Sequence, residues 1–150
     1  MSISRSTTVA ASPEAVYALV SDLPRMGELS PENTGGRWLG GATGPAVGAR
    51  FRGTNRNGWR RWSTTATVEA ADPGQEFAFS VRSFGVPVSH WRYTIAPAEG
   101  GCTLTESWVD RRPGWFKGPA GLATGVTNRD EATVRSIEAT LAAVKQRLKA

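Results

Sequence analysis

No glycine or proline interrupts the chain from Asn128 to Lys149, and Val134, Ile137, Leu141, Val144 and Leu148 recur there at steps of three and four residues. That spacing predicts one long helix with a single apolar face. Arg129, Asp130, Arg135, Glu138, Lys145 and Arg147 fall on its other faces. Any half-apolar sheet formed upstream must be covered, and this helix is the only long amphipathic element left to cover it.

The sheet itself is legible as a series of strand-like runs. Ile3 to Ala10 is an opening strand rich in β-branched and small residues. Ser12-Pro13-Glu14 then reads as a helix start: Ser12 can cap, Pro13 suits the first helical position, and Glu14 complements the positive helix end. Val16, Leu19, Val20 and Leu23 continue at helical spacing, Pro24 is expected to end that helix, and Arg25 to Leu29 suits a second short turn before Ser30-Pro31. Six strands follow, over Gly36 to Gly41, Gly48 to Asn55, Trp59 to Ala70, Gln75 to Arg82, Val88 to Ala96 and Cys102 to Val109. Asn57-Gly58 and Asp72-Pro73-Gly74 are strong turn signals between them. Consecutive hairpins make the sheet antiparallel, and Gly48, Gly53 and Gly85 are expected to let it coil. Arg111 to Gly125 is rich in Gly and Pro and reads as a structured loop with a partial helix.

The expected architecture is α+β: about seven antiparallel strands curved around the C-terminal helix, with two short helices after the first strand. At 150 residues, 1–150 suits a single domain. The one cysteine, Cys102, permits no intramolecular disulfide or Cys-based metal site, and it is read as a small buried or edge residue. The one histidine, His90, cannot build a multi-histidine metal site. It alternates with Trp91, so it should face out and take no catalytic part. The formal net charge is +5, but the arginines are scattered, so no nucleic-acid partner is expected. No secretory signal is visible at the N-terminus, and no apolar run approaches the roughly 20 residues of a membrane span. A cytoplasmic location is the default expectation, with at most transient membrane contact and a monomer or homodimer. No Gly-rich phosphate loop, metal site or redox cofactor is implied.

In this order, several segments resemble the polyketide cyclase/dehydrase-like branch of the START-like (SRPBCC) superfamily. They are Ser12-Pro13-Glu14-Ala15-Val16-Tyr17, Ser21-Asp22-Leu23-Pro24-Arg25-Met26, Ser30-Pro31-Glu32, Gly35-Gly36-Arg37-Trp38, Val47-Gly48-Ala49-Arg50-Phe51-Arg52-Gly53, Asn55-Arg56, Trp62, Trp91-Arg92-Tyr93, Leu104-Thr105-Glu106 and the C-terminal helix. The resemblance covers nearly the whole chain. It implies the helix-grip (START/Bet v 1-like) fold, with a deep cavity between sheet and helix. Members bind lipids, sterols, hormones, polyketides or other apolar molecules, and some cyclise or dehydrate polyketide intermediates.

Two functions follow as expectations: binding, transport or sequestration of a small hydrophobic molecule such as a lipid or aromatic polyketide, or a cyclase/aromatase/dehydratase-type reaction. Alternation along the strands puts Phe51, Asn55, Trp62, Thr64, Phe77, Phe79, Trp91, Tyr93, Leu104, Glu106 and Trp108 on the inner face, and Val134, Ile137 and Leu141 face them from the helix. Glu106, Tyr93 and Asn55 are the candidate catalytic groups. An inward carboxylate should have a raised pKa and can carry a proton; alternatively Glu106 pairs with Arg52 or Arg129, or sits at the wet rim. Tyr93 can donate to a ligand carbonyl or be a plain wall residue. Asn55 can orient a ligand oxygen or belong to the Asn57-Gly58 turn. Trp62, Trp91 and Trp108 offer flat walls for rings, or ordinary core packing. Arg56, Arg60 and Arg61 surround a hairpin tip at Trp59, which suits either an anionic surface or plain solvation. Arg111-Arg112 with Trp115 and Phe116 can form a lid near the pocket mouth.

Overall fold

The computed structural model describes residues 2–30, 33–124 and 129–148. Seven strands form one antiparallel sheet: β1 (Ser2–Val9), β2 (Asn33–Trp38), β3 (Arg50–Asn57), β4 (Arg60–Asp72), β5 (Glu76–Ser83), β6 (Val86–Ala98) and β7 (Gly101–Asp110). Their order across the sheet is β1-β7-β6-β5-β4-β3-β2. Six strands thus run as a meander, and β1 closes on the last of them with Ile3 opposite Trp108 and Thr7 opposite Leu104. The helices are α1 (Pro13–Val20), a short 3-10 helix (Leu23–Glu28), α2 (Gly114–Thr124) and α3 (Arg129–Arg147).

Ser12 caps α1 as its sequence demands, its Oγ accepting from the Ala15 N–H at 3.2 Å. Pro24 does not end that helix. α1 stops at Ser21, whose N–H and hydroxyl both bond the Tyr17 carbonyl, and Pro24 occupies the first turn of the 3-10 helix, where its missing N–H is harmless. The segment from Arg111 is more helical than its Gly and Pro content suggests, because α2 extends through Pro119. The turn expected at Ser30-Pro31 and the expected ends of the last helix at Asn128 and Lys149 fall partly outside the described residues.

Of the glycines expected to let the sheet coil, Gly53 lies inside β3. Gly48 and Gly85 stand in turns with φ of 88° and 76°, while the sheet's register slips at Asn33/Gly35, Val68/Ala70 and Val81/Arg82. Such irregularities bend a strand and sharpen its twist.

α3 does not run down the middle of the concave face. It packs on β1, β7 and α1, and its Ile137, Leu141 and Val144 join Phe77, Leu104, Val16, Val20 and Val68 in the solid core. Its C-terminal end is tied to the 3-10 helix. Arg25 and Arg147 both bond the Glu28 carboxylate, which holds that carboxyl down to about 2. The 3-10 helix itself packs on β2 and β3. The space between α3 and the strands farther from β1 is therefore left open.

At the β2–β3 pair the backbones approach too closely for any side chain. Gly36 has φ of 153°, and a Cβ there would lie 2.1 Å from the Arg52 carbonyl oxygen and 2.8 Å from the Phe51 ring. Gly40, at φ of 62°, faces open space. Gly36→Ala should therefore destabilise the fold by roughly 3 kcal/mol or more, combining left-handed strain with a clash, while Gly40→Ala should cost only about 1 kcal/mol. Chemical denaturation of the two variants checks this; equal losses would contradict it.

Candidate functional site

A cavity of about 440 Å³ fills the open space. The sheet supplies an aromatic wall: Phe51, Trp62, Phe79, Trp91, Tyr93 and Trp108 all line it. Trp91 and Trp108 stand opposite each other on β6 and β7, with ring centroids 6.4 Å apart, and the Trp91 indole N–H is satisfied by Ser89 Oγ at 3.1 Å. Leu23 and Met26 of the 3-10 helix close one side, and Phe116, Pro119 and Ala120 of α2 lie over another. The α3 wall is of a different kind. Thr133, Ser136 and Thr140 line the cavity, and Ser136 shares a 3.2 Å hydroxyl contact with Ser30.

Arg112 and Arg129 also line the cavity, and its buried acid is Glu106. It is 2 % exposed and lines the cavity beside Tyr93, whose hydroxyl donates to Glu106 Oε2 at 2.8 Å. The other carboxyl oxygen, Oε1, has no hydrogen-bond partner, alone in this respect among buried side-chain atoms of the described residues. Neither Arg52 nor Arg129 neutralises Glu106. Arg52 bonds the Ser63 hydroxyl instead, and Tyr93 is the single hydrogen-bond partner of Glu106 among the described residues. Burial pushes the Glu106 carboxyl up to about 8, with the Tyr93 hydrogen bond pulling the other way. Burial thus favours the neutral acid over the carboxylate at pH 7. Tyr93 is raised well above the usual phenol range, first by burial and then by the adjacent carboxyl.

Of the residues singled out in the sequence, Phe51, Asn55, Trp62, Thr64, Phe79, Trp91, Tyr93, Glu106 and Trp108 lie on the cavity wall. Phe77, Leu104, Ile137 and Leu141 lie instead in the solid core, and Val134 packs half-buried against it. The reason is the seat of α3: its apolar stripe is spent on β1, β7 and α1, so its hydroxyl stripe meets the void. Those hydroxyls, at 133, 136 and 140, were missed. Their steps of three and four residues beside an apolar stripe were the available signal. Glu106 and Tyr93 converge on one point. Asn55 does not join them, since it sits four strands from β7, with its amide 3.5 Å from Thr64 Oγ1.

His90 projects from the face opposite Trp91 but is only 8 % exposed. Its Nδ1 lies 3.0 Å from Glu69, which also accepts from the Ser80 hydroxyl. Glu69 itself stands at the β4 register slip. Cys102 is buried, and burial raises its thiol further, with Glu14 adding to the effect. Among the described residues no cluster of three or more His, Cys, Asp or Glu side chains is placed to hold a metal ion, and no helix is long and apolar enough to cross a membrane.

The sequence pattern of the polyketide cyclase / dehydrase and lipid transport family matches residues 1–149. A polyketide-cyclase-like protein of Corynebacterium glutamicum, solved by solution NMR, is 34% identical over 99% of this chain and 91% of its own, with a TM-score of 0.66. A START superfamily protein of Mycobacterium smegmatis shares the fold at a TM-score of 0.70 and 18% identity, over 99% of this chain and 97% of that one. The di-domain ARO/CYC StfQ of the steffimycin biosynthetic pathway superposes at a TM-score of 0.77 and 11% identity, over 99% of this chain and 50% of that one. No curated protein matches the chain.

The buried carboxyl makes a signed prediction. A carboxyl whose folded pKa is raised binds its proton more tightly in the native state. Its contribution is full below the unfolded value of 4.5 and is lost as pH rises toward about 8. The loss over that window is on the order of 4 kcal/mol. Glu106→Gln should flatten the stability profile between pH 5 and 8 relative to the native protein, as measured by urea unfolding at each pH. Parallel profiles would show that Glu106 does not titrate in this way.

Proposed function

The chain belongs to the polyketide cyclase / dehydrase and lipid transport family, and on that premise we propose that residues 1–150 act as one domain that binds a small, largely apolar molecule carrying a carbonyl or similar oxygen. The observation that carries this reading is the unpartnered Glu106 Oε1 beside the aromatic wall of the cavity. A neutral buried carboxylic acid is a hydrogen-bond donor, and leaving a buried polar group unmade costs about 1–3 kcal/mol. A ligand oxygen that accepts from Glu106 recovers that cost, while Trp62, Trp91 and Trp108 give its rings or chain flat apolar contact. A lipid or an aromatic polyketide has both parts. Phe51, Phe79 and Thr64 complete the contact surface in this reading, and the cytoplasm is its expected setting.

One observation favours a second reading, a cyclase/dehydratase-type enzyme: two proton-bearing groups, 2.8 Å apart, face the same void. Here Glu106 gives its proton to a ligand oxygen, and the Tyr93 hydroxyl, already donating, steadies the carboxylate left behind. Both groups are buried, Glu106 at 2 % and Tyr93 at 3 % exposed, so the exchange takes place away from bulk solvent. Asn55 lies too far along the sheet to share this step, and serves at most to hold a remote part of the ligand.

Thermal-shift titration with matched pairs of apolar molecules, a ketone and its hydrocarbon analogue, tests the binding reading. The ketone should bind about tenfold tighter, or about 1.4 kcal/mol. Glu106→Leu should abolish the difference, and raising pH through about 8 should weaken ketone binding as the donor ionises. Equal binding of ketone and hydrocarbon by the native protein would sink the assigned role of Glu106. For the enzyme reading, Tyr93→Phe should lower turnover of a bound poly-β-ketone at least tenfold with binding kept.

A further inference from the structure

Five large apolar side chains stand exposed among the described residues, and four of them gather at one end of the molecule: Trp59 at 80 %, Phe84 at 96 %, Trp115 at 69 % and Leu122 at 77 %. They come from three separate elements that the hydrogen bonds place together. Trp59 tips the β3–β4 hairpin, and Phe84 tips the β5–β6 hairpin with φ of 53°. The two tips are joined where Ser83 Oγ donates to the Ser63 carbonyl at 3.3 Å. Trp115 and Leu122 belong to α2, whose C-terminal turn is held by the first hairpin: Asn57 Nδ2 donates to the Thr124 carbonyl at 2.9 Å and Arg60 Nε to the Leu122 carbonyl at 3.2 Å. Phe84 and Phe116 also line the cavity, so this end is the cavity's mouth.

The same end is cationic. Arg56 and Arg61 face each other directly across β3 and β4, an arrangement of like charges that is unfavourable in isolation. Neither has a carboxylate within salt-bridge reach among the described residues. The Arg60 guanidinium lies 4.4 Å over the Trp59 ring, and Arg82, Arg111 and Lys117 add exposed charge nearby. The neighbouring acid, Asp110, is already closed on Arg112. Acidic side chains collect at the opposite end: Glu14, Asp72, Glu76 and Glu99.

We propose that this aromatic and cationic rim is a docking face for an anionic lipid bilayer, which seats the cavity mouth against the membrane surface. Indole and phenyl groups partition into the headgroup region, and arginines among them meet lipid phosphates. Four protruding side chains on two hairpin tips and one helix fit a soft surface; a folded partner would need a matching hollow for each. The bilayer also relieves the Arg56–Arg61 repulsion. This docking goes beyond the binding reading above and stands without it, since it needs no occupant in the cavity.

Co-sedimentation of the full chain with vesicles of phosphatidylcholine and phosphatidylglycerol tests it. The protein should bind these vesicles in low salt, bind phosphatidylcholine vesicles weakly, and lose the anionic binding as salt screens the charges. The double variant R56E/R61E should lower binding at least about 25-fold, at about fivefold for each cation removed, and W59S/W115S roughly tenfold. R56K/R61K should bind as the native protein does. R37E/R50E changes net charge equally but away from the tip, and should keep most of the binding. Far-ultraviolet circular dichroism confirms that each variant folds. The proposal is overturned if anionic vesicles are not bound, or if R37E/R50E loses as much as R56E/R61E. It is also overturned if light scattering shows the native protein to be a dimer that the Trp59 and Trp115 substitutions break, since the face would then cover a second copy.

Discussion

The off-centre seat of α3 determines the interior of this protein. A helix lying centrally on a curved sheet fills the concavity with its own side chains. Here Ile137, Leu141 and Val144 are buried on the β1–β7 flank, Arg147 is pinned to Glu28 on the 3-10 helix, and Arg5 of β1 reaches Glu138 at 3.9 Å on the outside. That last pair is exposed and contributes little; the buried aliphatic contacts hold the helix. With α3 fixed to one flank, β3 to β6 are left uncovered by it, and α1 packs only on part of β5 and β6. Their inward aromatics face a void, roofed by the 3-10 helix and α2.

The same seat explains what could and could not be read in advance. Strand order, the α1 cap at Ser12 and the inward set from Phe51 to Trp108 follow from local pattern, because alternation along a strand fixes which side chains share a face. Helical periodicity fixes only that Ile137 and Leu141 point the same way. Whether that direction meets solid core or empty space depends on the rotation and offset of α3 against the sheet, a tertiary quantity absent from any one segment. Hence Ile137 and Leu141 are core, and Thr133, Ser136 and Thr140 form the cavity wall. Phe77 shows the same limit on a strand. It alternates in phase with Phe79, yet α1 lies near it, Tyr17 meeting its ring edge-on at 6.3 Å, and that packing removes it from the void.

Glu106 illustrates why pattern reading narrows a buried charge without deciding its state. Strand phase put it inside together with Leu104 and Trp108. Strand phase leaves its partner open between Arg52, Arg129 and water. The register decides: Glu106 lies directly opposite Tyr93, while Arg52 is on the other face, bonded to Ser63. Register across this pair is set by the Glu99-Gly100 turn, which puts Ala98 opposite Gly101, and one residue more or fewer there would move Tyr93 away from Glu106.

The two walls of the cavity differ in how they tolerate being empty. An aromatic wall asks for nothing polar. A helix hydroxyl such as those of Thr133 or Thr140 has the carbonyl four residues back within a rotamer change, so it can satisfy itself and then turn to a guest. Glu106 has no such alternative. Tyr93 occupies one oxygen, the strand holds the carboxyl deep among Trp91, Trp108 and Leu104, and Oε1 stays unpaired. Protonation lowers the cost of that position but does not remove it, because a neutral acid still holds an unused donor. A fold that tolerates this incomplete hydrogen bond beside an aromatic wall has placed its largest gain from any incoming oxygen at that single atom.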